Sequence, residues 1–194
     1  MKTTFNLTTI ALSAIMLFSC QKLLEDILKD TERDRDKERE IKLEADFHTS
    51  LTPTDEGEEE EKGCAAPYTF FNNQEGEGVA KKLGSFTTKI TFCVDVDPES
   101  PTYLEYVDGE GVFAFNNGDE LYFTVSRKVL PLEDDPVYGA FFMDPFVFTG
   151  GTGRFEGASG EGITDSKVHF QQEGVSRTDH IWTGTLILKK KKKH

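Results

Sequence analysis

After Lys62 the sequence contains no amphipathic helical window of twelve residues, and short apolar segments alternate with turns instead. Just before that point, residues 41–47 alternate strictly between apolar and polar side chains, which is typical of a half-buried strand. The 16 Phe and 17 Gly residues agree with β structure, because aromatic side chains fit a pleated surface and Gly-rich turns separate short strands. The sequence therefore predicts an all-β domain, either a sandwich or a barrel, of eight or nine strands.

Further strands are predicted at residues 85–94, 111–115, 120–129, 138–148, 163–172 and 180–188. The second and third of these form a hairpin across residues 116–119, whose Asn-Gly pair is a strong signal for a tight turn. Pro145 marks a sheet edge or a bulge, because proline cannot donate a backbone hydrogen bond. We expect the β domain to span residues 39–188 and to contain an acidic loop at residues 52–62.

Residues 1–19 have the pattern of a secretory signal peptide, with Lys2 followed by an apolar region at residues 10–18. That region is too short to span a bilayer, which requires about 20 apolar residues. The residues that end it, Leu-Phe-Ser-Cys, resemble the bacterial lipobox, where cleavage precedes a cysteine that is then acylated. The sequence thus predicts a lipid anchor on Cys20 that attaches the protein to the membrane. The expected location is the cell envelope, as an outer-membrane lipoprotein that is periplasmic or surface-exposed. The alternative is an ordinary signal peptide that is cleaved elsewhere.

The segment after this cysteine, residues 20–38, is rich in charges of both signs, and we interpret it as a solvated tether. Residues 189–194 form a Lys-rich tail, interpreted as a solvated end, with anionic lipid as the alternative partner. The formal net charge of −13 argues against nucleic acid as a partner, because phosphates require a basic surface.

Two cysteines, Cys64 and Cys93, remain once Cys20 is assigned to the lipid. An even pair in an exported chain predicts a disulfide, with two free thiols or a metal site as the alternatives. Neither cysteine belongs to a CxxC motif or has a His at ligand spacing, so no metal site is predicted.

The glycine-rich segment at residues 149–162, TGGTGRFEGASGEG, comes close to the dinucleotide-binding fingerprint. That fingerprint requires a helix after the glycines, whereas here another strand is predicted. We therefore expect no nucleotide and no cofactor at this segment. We interpret it as a tight turn at a barrel corner, where glycine permits positive φ and close backbone approach.

Residues 146–155, with the Gly157, Ala158 and Gly160 that follow, are similar to the GGTGRF-x-GA-x-G segment of the allene oxide cyclase and dirigent-like barrel family. Residues 76–87, 116–121 and 182–186 resemble segments of its bacterial secreted members in the same order. The resemblance covers about residues 39–188 and implies a single antiparallel barrel of about eight strands with a central cavity. Plant members cyclise an epoxide or guide the radical coupling of phenols. Their functional residues do not match this chain position by position, so no catalytic residue is predicted.

Candidate ligand contacts come from an aromatic cluster and from one charged residue. The aromatic side chains are expected in the core first and in the lining of a cavity second: Phe141, Phe142, Phe146 and Phe148. The charged residue is Arg154, inside the glycine-rich turn, for which pairing with a nearby carboxylate such as Glu156 or Glu161 is the preferred alternative.

Other side chains with possible chemistry receive structural interpretations. Three histidines, His48, His169 and His180, are expected to be exposed or hydrogen-bonded strand residues rather than members of a triad. Asp95, Asp97 and Glu99 resemble the start of a calcium loop. The sixth and twelfth positions of that loop are not the required Gly and Glu, so at most a weak calcium site is left open.

These observations favour an envelope lipoprotein that binds a small apolar ligand or a surface partner without catalysis and without a cofactor. One alternative is a cyclase or isomerase that uses an interior carboxylate, such as Glu105 or Glu120. Another is a purely structural component with a filled barrel and an exposed apolar patch. The oligomeric state is left open.

Overall fold

A computed structural model describes residues 38–52, 63–169 and 177–190 of the 194-residue chain. The predicted signal peptide, Cys20, nearly all of the tether and of the acidic loop, and the last four residues of the Lys-rich tail lie outside the described residues. The strands are β1 (Glu38–Leu51), β2 (Phe70–Ala80), β3 (Gly84–Val94), β4 (Glu105–Phe115), β5 (Glu120–Lys128), β6 (Leu130–Pro131), β7 (Ala140–Phe142), β8 (Pro145–Gly151), β9 (Ser159–Val168) and β10 (Arg177–Lys189). One turn of 3-10 helix, Gly153–Phe155, connects β8 to β9.

Eight of these strands close into an antiparallel barrel, which confirms the predicted fold class. The order is β10-β1-β2-β3-β4-β5-β8-β9, and β9 pairs in turn with β10, so the first and last strands of the chain are neighbours. The short strands β6 and β7 form a hairpin-like extension that pairs with the end of β9. In the part of the chain that the structure describes, no helix has the length and apolar character needed to span a bilayer.

Period-two alternation places one face of every barrel strand inside. In β1 the inward side chains are apolar up to Phe47 and end with Thr49. The central core is aromatic: Phe113 and Phe123 are fully buried and surround Trp182 at ring-centroid distances of 5.7 and 4.9 Å. Phe146 stacks on the same indole at 4.7 Å. Because aromatic side chains bury large apolar areas, this cluster fills the middle of the barrel.

The two ends of the barrel differ. The start of β1, the β2–β3 and β4–β5 turns, the 3-10 helix and the end of β10 lie together, and we call this the closed end. The opposite end, which carries the β3–β4 loop, β6 and β7, we call the open end. The predicted hairpin at residues 116–119 forms the β4–β5 turn, where Gly118 has a φ of 84°.

The glycine-rich segment leads from β8 through the 3-10 helix into β9, as a turn at the closed end. Gly160 has a φ of 140°, and a Cβ there would lie 2.0 Å from the carbonyl oxygen of Thr185 on β10. Glycine is therefore required by both conformation and space, as expected for a barrel corner.

Two predicted strands differ most from the structure, and a third strand, β2, was not predicted. The strand predicted at residues 138–148 is two separate strands, β7 and β8, and the buried Asp144 lies in the break between them. The strand at residues 111–115 begins earlier, at Glu105, beyond an irregularity between Tyr106 and Gly109. Strand β2 follows no apolar alternation, since Asn72, Gln74 and glycines occupy its inward positions.

The predicted disulfide is present between Cys64 and Cys93, with a Cα–Cα distance of 5.6 Å. It joins the segment that precedes β2 to the end of β3 at the open end.

Candidate functional site

A cavity of about 200 Å³ opens at the open end of the barrel. Its lining is mainly aliphatic and aromatic and comprises Phe70, Asn72, Gln74, Ile90, Phe92, Val94, Val96, Leu104, Tyr106, Val125, Val129, Phe142, Val168, Thr178, His180 and Trp182. Most of these side chains occupy inward strand positions where β2, β4 and β10 begin and β3, β5 and β9 end. A concave, mostly apolar site with a few polar groups is typical of a small-molecule site.

His180 is the most deeply buried polar residue of this lining, at 2% exposure. Its ring stacks on Phe47 with centroids 4.3 Å apart, and both ring nitrogens have hydroxyl partners. Nε2 lies 2.9 Å from Thr49 Oγ1, and Nδ1 lies 2.8 Å from Ser166 Oγ. A neutral imidazole with both nitrogens bonded is a satisfied buried group.

These side chains form a series of hydrogen bonds, and the direction of each bond is set by the last member of the series, Gln74. Thr49 donates its hydroxyl hydrogen to Gln74 Oε1, which can only accept, so Thr49 must accept the N–H of His180 Nε2. His180 Nδ1 then accepts from the Ser166 hydroxyl, whose oxygen accepts the Trp182 indole N–H at 3.3 Å. The hydrogen-bonded series runs from Trp182 to Gln74 and fixes one tautomer of the imidazole.

Burial is the largest cause that lowers the pKa of His180, to about 3, because the apolar surroundings disfavour the imidazolium. The imidazole is therefore neutral at any physiological pH. It acts in the cavity wall as a fixed dipole.

Two amide side chains provide the remaining polar surface at the wall formed by β2. The Gln74 oxygen is engaged by Thr49, so its amide nitrogen is the group that can donate to a bound molecule. The Asn72 side-chain oxygen is buried without a hydrogen-bond partner among the described residues. A buried polar atom without a partner is costly, which makes Asn72 the natural contact for a polar atom of a ligand.

On β4, the Tyr106 hydroxyl donates to Asp144 Oδ2 at 2.6 Å. Asp144 is only 5% exposed, and its backbone N–H donates to Thr164 Oγ1 at 2.7 Å. Burial is the largest cause that raises the pKa of Asp144. Burial, followed by the hydrogen bond to Asp144, also raises the pKa of the Tyr106 hydroxyl. Tyr106 lines the cavity, whereas Asp144 does not belong to the lining.

Of the four aromatic side chains predicted as ligand contacts, one lines the cavity and three do not. Phe142 lines the cavity, whereas Phe146 and Phe148 are fully buried core residues with ring centroids 5.2 Å apart. Phe141 pairs with Lys167 and Leu130 on neighbouring strands and does not belong to the lining. A binding role for these side chains stays a prediction.

Arg154 lies at the closed end, away from the cavity. Its Nη2 donates to the Leu83 carbonyl at 2.9 Å, and its guanidinium lies 4.7 and 4.6 Å from the ring centroids of Phe115 and Phe155. Its carboxylate partner is Asp119, at 3.4 Å, so Arg154 pairs with a carboxylate as expected, but with Asp119 rather than Glu156 or Glu161. The pairing of β5 with β8 brings Asp119 closer than the acids nearby in sequence. Arg154 therefore closes one end of the barrel.

The acids proposed for an interior carboxylate lie outside the cavity lining. Glu105 forms an ion pair with Lys128 at 3.6 Å, and Glu120 accepts the hydroxyl hydrogen of Tyr122. The described residues that line the cavity include no carboxylate. Across residues 38–52, 63–169 and 177–190, no cluster of three or more His, Cys, Asp or Glu side chains has metal-binding geometry.

The aspartates of the β3–β4 loop serve as turn acceptors. Asp95 accepts from the Thr102 hydroxyl at 2.7 Å and from the Asp97 backbone N–H at 3.0 Å. The hydrogen bonds predicted for the histidines are present at two of them: His180, described above, and His169, whose Nε2 lies 2.9 Å from Asp179 Oδ2.

Sequence reasoning did not assign His180, Gln74 or Tyr106 to a ligand site. The signal for His180 was its two-residue spacing from Trp182 and Thr178, which places all three on one face of β10. For Gln74 and Tyr106 the sequence carried no such signal. Gln74 lies in a strand whose inward positions are polar, and Tyr106 lies at the irregular start of β4.

Comparison of the sequence with protein-family models finds no match, and comparison with curated proteins finds none either. Among solved structures, the fold is similar to that of the pterocarpan synthase dirigent protein, with a TM-score of 0.48 and 12% sequence identity. The match covers 81% of this chain and 90% of the dirigent protein.

Proposed function

We propose that this protein binds one small, mainly apolar molecule in the cavity at the open end, without catalysis, while a lipid on Cys20 anchors it in the cell envelope. The observation that carries the proposal is the cavity itself, an apolar space lined from several strands and open to one end of the barrel. The anchor rests on the sequence pattern of residues 1–20.

The volume limits the size of the ligand. An apolar protein cavity of roughly 150 Å³ accommodates benzene. A cavity of about 200 Å³ therefore suits a single ring with one or two substituents. Each buried CH₂ group contributes about 0.8 kcal/mol, so a fully enclosed compact ligand gains most of its affinity from apolar contact.

The polar wall specifies what the ligand carries besides its apolar body. The Asn72 oxygen offers an acceptor and the Gln74 nitrogen offers donors, and both side chains are on β2. His180 and Trp182 are internally satisfied, so they contribute shape and dipoles rather than new hydrogen bonds. A hydroxyl, which both donates and accepts, matches this wall.

The lining argues for binding rather than for an interior-carboxylate enzyme. A buried carboxylate in contact with the lining, Asp144, is not itself a lining residue and accepts the hydroxyl hydrogen of Tyr106. A general acid or base must lie within hydrogen-bond reach of the reacting atom. The cavity likewise counts against a purely structural barrel whose interior is filled.

The test uses the single Trp of the chain, Trp182, which lines the cavity and reports on occupancy by fluorescence. The full chain, purified from membranes in detergent, is titrated with iodobenzene as a heavy-atom quencher. It is then titrated with monocyclic alcohols, which displace the quencher. A native mass spectrum of the same sample identifies any copurified compound.

A matched pair of variants locates the binding site. Val129→Phe adds bulk to the cavity lining and is expected to weaken binding at least about tenfold, a loss of roughly 1.4 kcal/mol. Val147→Phe makes the same change on the outer face, where Val147 is 48% exposed, and should leave the titration unchanged. Saturable quenching that responds equally to both substitutions, or no quenching and no copurified mass, would overturn the small-molecule proposal.

A further inference from the structure

The charges of the barrel are distributed unequally between its two ends. Exposed cations gather at the closed end, where Lys81 and Lys82 form the β2–β3 turn and Lys189 ends β10. In the sequence, three more lysines follow Lys190. At the open end, acids predominate in the β3–β4 loop, and the chain between Thr52 and Gly63 contains six acids and one lysine.

At the closed end, a shallow depression collects the cations of separate elements. It is lined by Arg39 from β1, Arg154 from the 3-10 helix, and Lys189 and Lys190 from the end of β10. The carboxylate of this depression, Asp119, is already engaged by Arg154 and by the Asn117 amide. Acids also lie at this end: Glu38 and Glu40 at the start of β1, and Glu44, whose carboxylate forms ion pairs with Lys42 and Lys81.

The chain also enters the first barrel strand and leaves the last one at the closed end. Strand β1 begins at Glu38 and β10 ends at Lys189, and the two strands are neighbours. Cys20 lies only 18 residues before Glu38 in the sequence. A chain of that length spans at most about 60 Å when fully extended, so an anchor on Cys20 keeps the barrel near the lipid and attaches to it at the closed end.

We propose that the closed end docks on an anionic membrane surface, so that the cavity opens away from the membrane. This inference rests on the lipid anchor of the proposed function. It is independent of what the cavity binds. Basic side chains near an anionic leaflet are attracted to it within a Debye length, and the acidic open end is repelled. The anchor gives attachment and the basic end gives orientation.

Lysine acetylation in the full chain, followed by mass spectrometry, tests the orientation directly. The chain is bound to vesicles of phosphatidylcholine alone or of an equal mixture with phosphatidylglycerol. On the anionic vesicles we expect acetylation of Lys81, Lys82 and Lys189 to slow severalfold relative to neutral vesicles. Lys89 and Lys167, away from this end, should react equally on both. High salt should abolish the protection, because it screens exposed charges.

Two charge-matched variants separate the basic end from net charge. The triple change Arg39→Gln, Lys189→Gln and Lys190→Gln should remove the protection of Lys81 and Lys82. The control removes three cations elsewhere, Lys89→Gln, Lys128→Gln and Lys167→Gln, and should retain it. Circular dichroism verifies that both fold.

Equal acetylation on both vesicle types, or protection at Lys167 instead of Lys81, would overturn the docking proposal. Failure of the anchor is a separate result, since the chain would then not float with neutral vesicles at all. Failure of ligand binding appears only in the Trp182 titration. The three outcomes are therefore distinguishable.

Discussion

At the scale of single residues, the apolar interior of the barrel contains one series of hydrogen-bonded polar side chains. His180 is almost fully buried within this series of groups, and two hydroxyl partners offset the cost of its desolvation. Because every member from Trp182 to Gln74 has a fixed donor or acceptor role, replacing one member leaves a buried group unpaired. The arrangement holds the wall of the cavity in one geometry.

The pKa of His180 predicts how stability depends on pH. The folded-state pKa of about 3 lies below the ordinary 6.5, so protons bind preferentially to the unfolded chain between these values. The stabilisation is complete above pH 6.5 and is lost progressively as the pH falls toward 3. From pH 7 to pH 5 we expect the free energy of unfolding to fall by about 2 kcal/mol, measured by urea denaturation at each pH.

The variant His180→Gln supplies the control, since an amide keeps a donor and an acceptor but does not titrate. Asp144 acts with the opposite sign, because a raised folded-state pKa favours folding as the pH falls. That contribution is common to both proteins, so the difference between them isolates His180. An equal loss of stability in the variant would contradict the assignment.

The sequence was informative about residues to different degrees. The apolar alternation of β1 was sufficient to predict a half-buried strand, whereas the inward face shared by Trp182 and His180 was not predicted. The partner of Arg154 was not predictable, because Asp119 is 35 positions away and only the pairing of β5 with β8 brings the two together. The sequence shows which residues are close along the chain, whereas ion pairing depends on which residues are close in space.

At the scale of elements, β2 explains why part of the site was missed. Its inward positions are polar or glycine: Asn72 and Gln74 face the cavity, and a Cβ at Gly76 would lie 1.8 Å from the His48 carbonyl oxygen. Such a strand has no hydrophobic period to detect. The same holds for the break between β7 and β8, where Asp144 turns inward to bond Tyr106. Elements that build the cavity depart from the pattern of elements that fill the core.

The disulfide yields a prediction at this scale. Cys64 and Cys93 are 29 positions apart, and cross-linking a loop of that length removes conformational entropy from the unfolded chain. We expect the double change Cys64→Ser and Cys93→Ser to lower the free energy of unfolding by about 3–4 kcal/mol, measured by urea denaturation at pH 7. Reduced wild-type protein should match the variant. An unchanged midpoint in both samples would show that the loop is already held by the strands.

At the scale of the whole molecule, closure of the barrel couples the two ends. Each of the eight barrel strands pairs with two neighbours, and the pairing of β10 with β1 joins the beginning of the domain to its end. The closed end is sealed by Arg154 between two Phe rings, while the opposite end keeps its cavity. One aromatic core, centred on Trp182, lies between them.

Because that core is shared, we expect the barrel to unfold as one cooperative unit rather than end by end. Removing any strand exposes the edges of two others and part of the Trp182 cluster, so partly opened states gain little entropy for the contacts they lose. Urea unfolding followed by Trp182 fluorescence, a local probe beside the cavity, should therefore coincide with unfolding followed by far-UV circular dichroism, which averages over all strands. A fluorescence transition at clearly lower urea would mean that the cavity end opens alone. Local opening of that end would then provide the route by which a ligand enters the cavity.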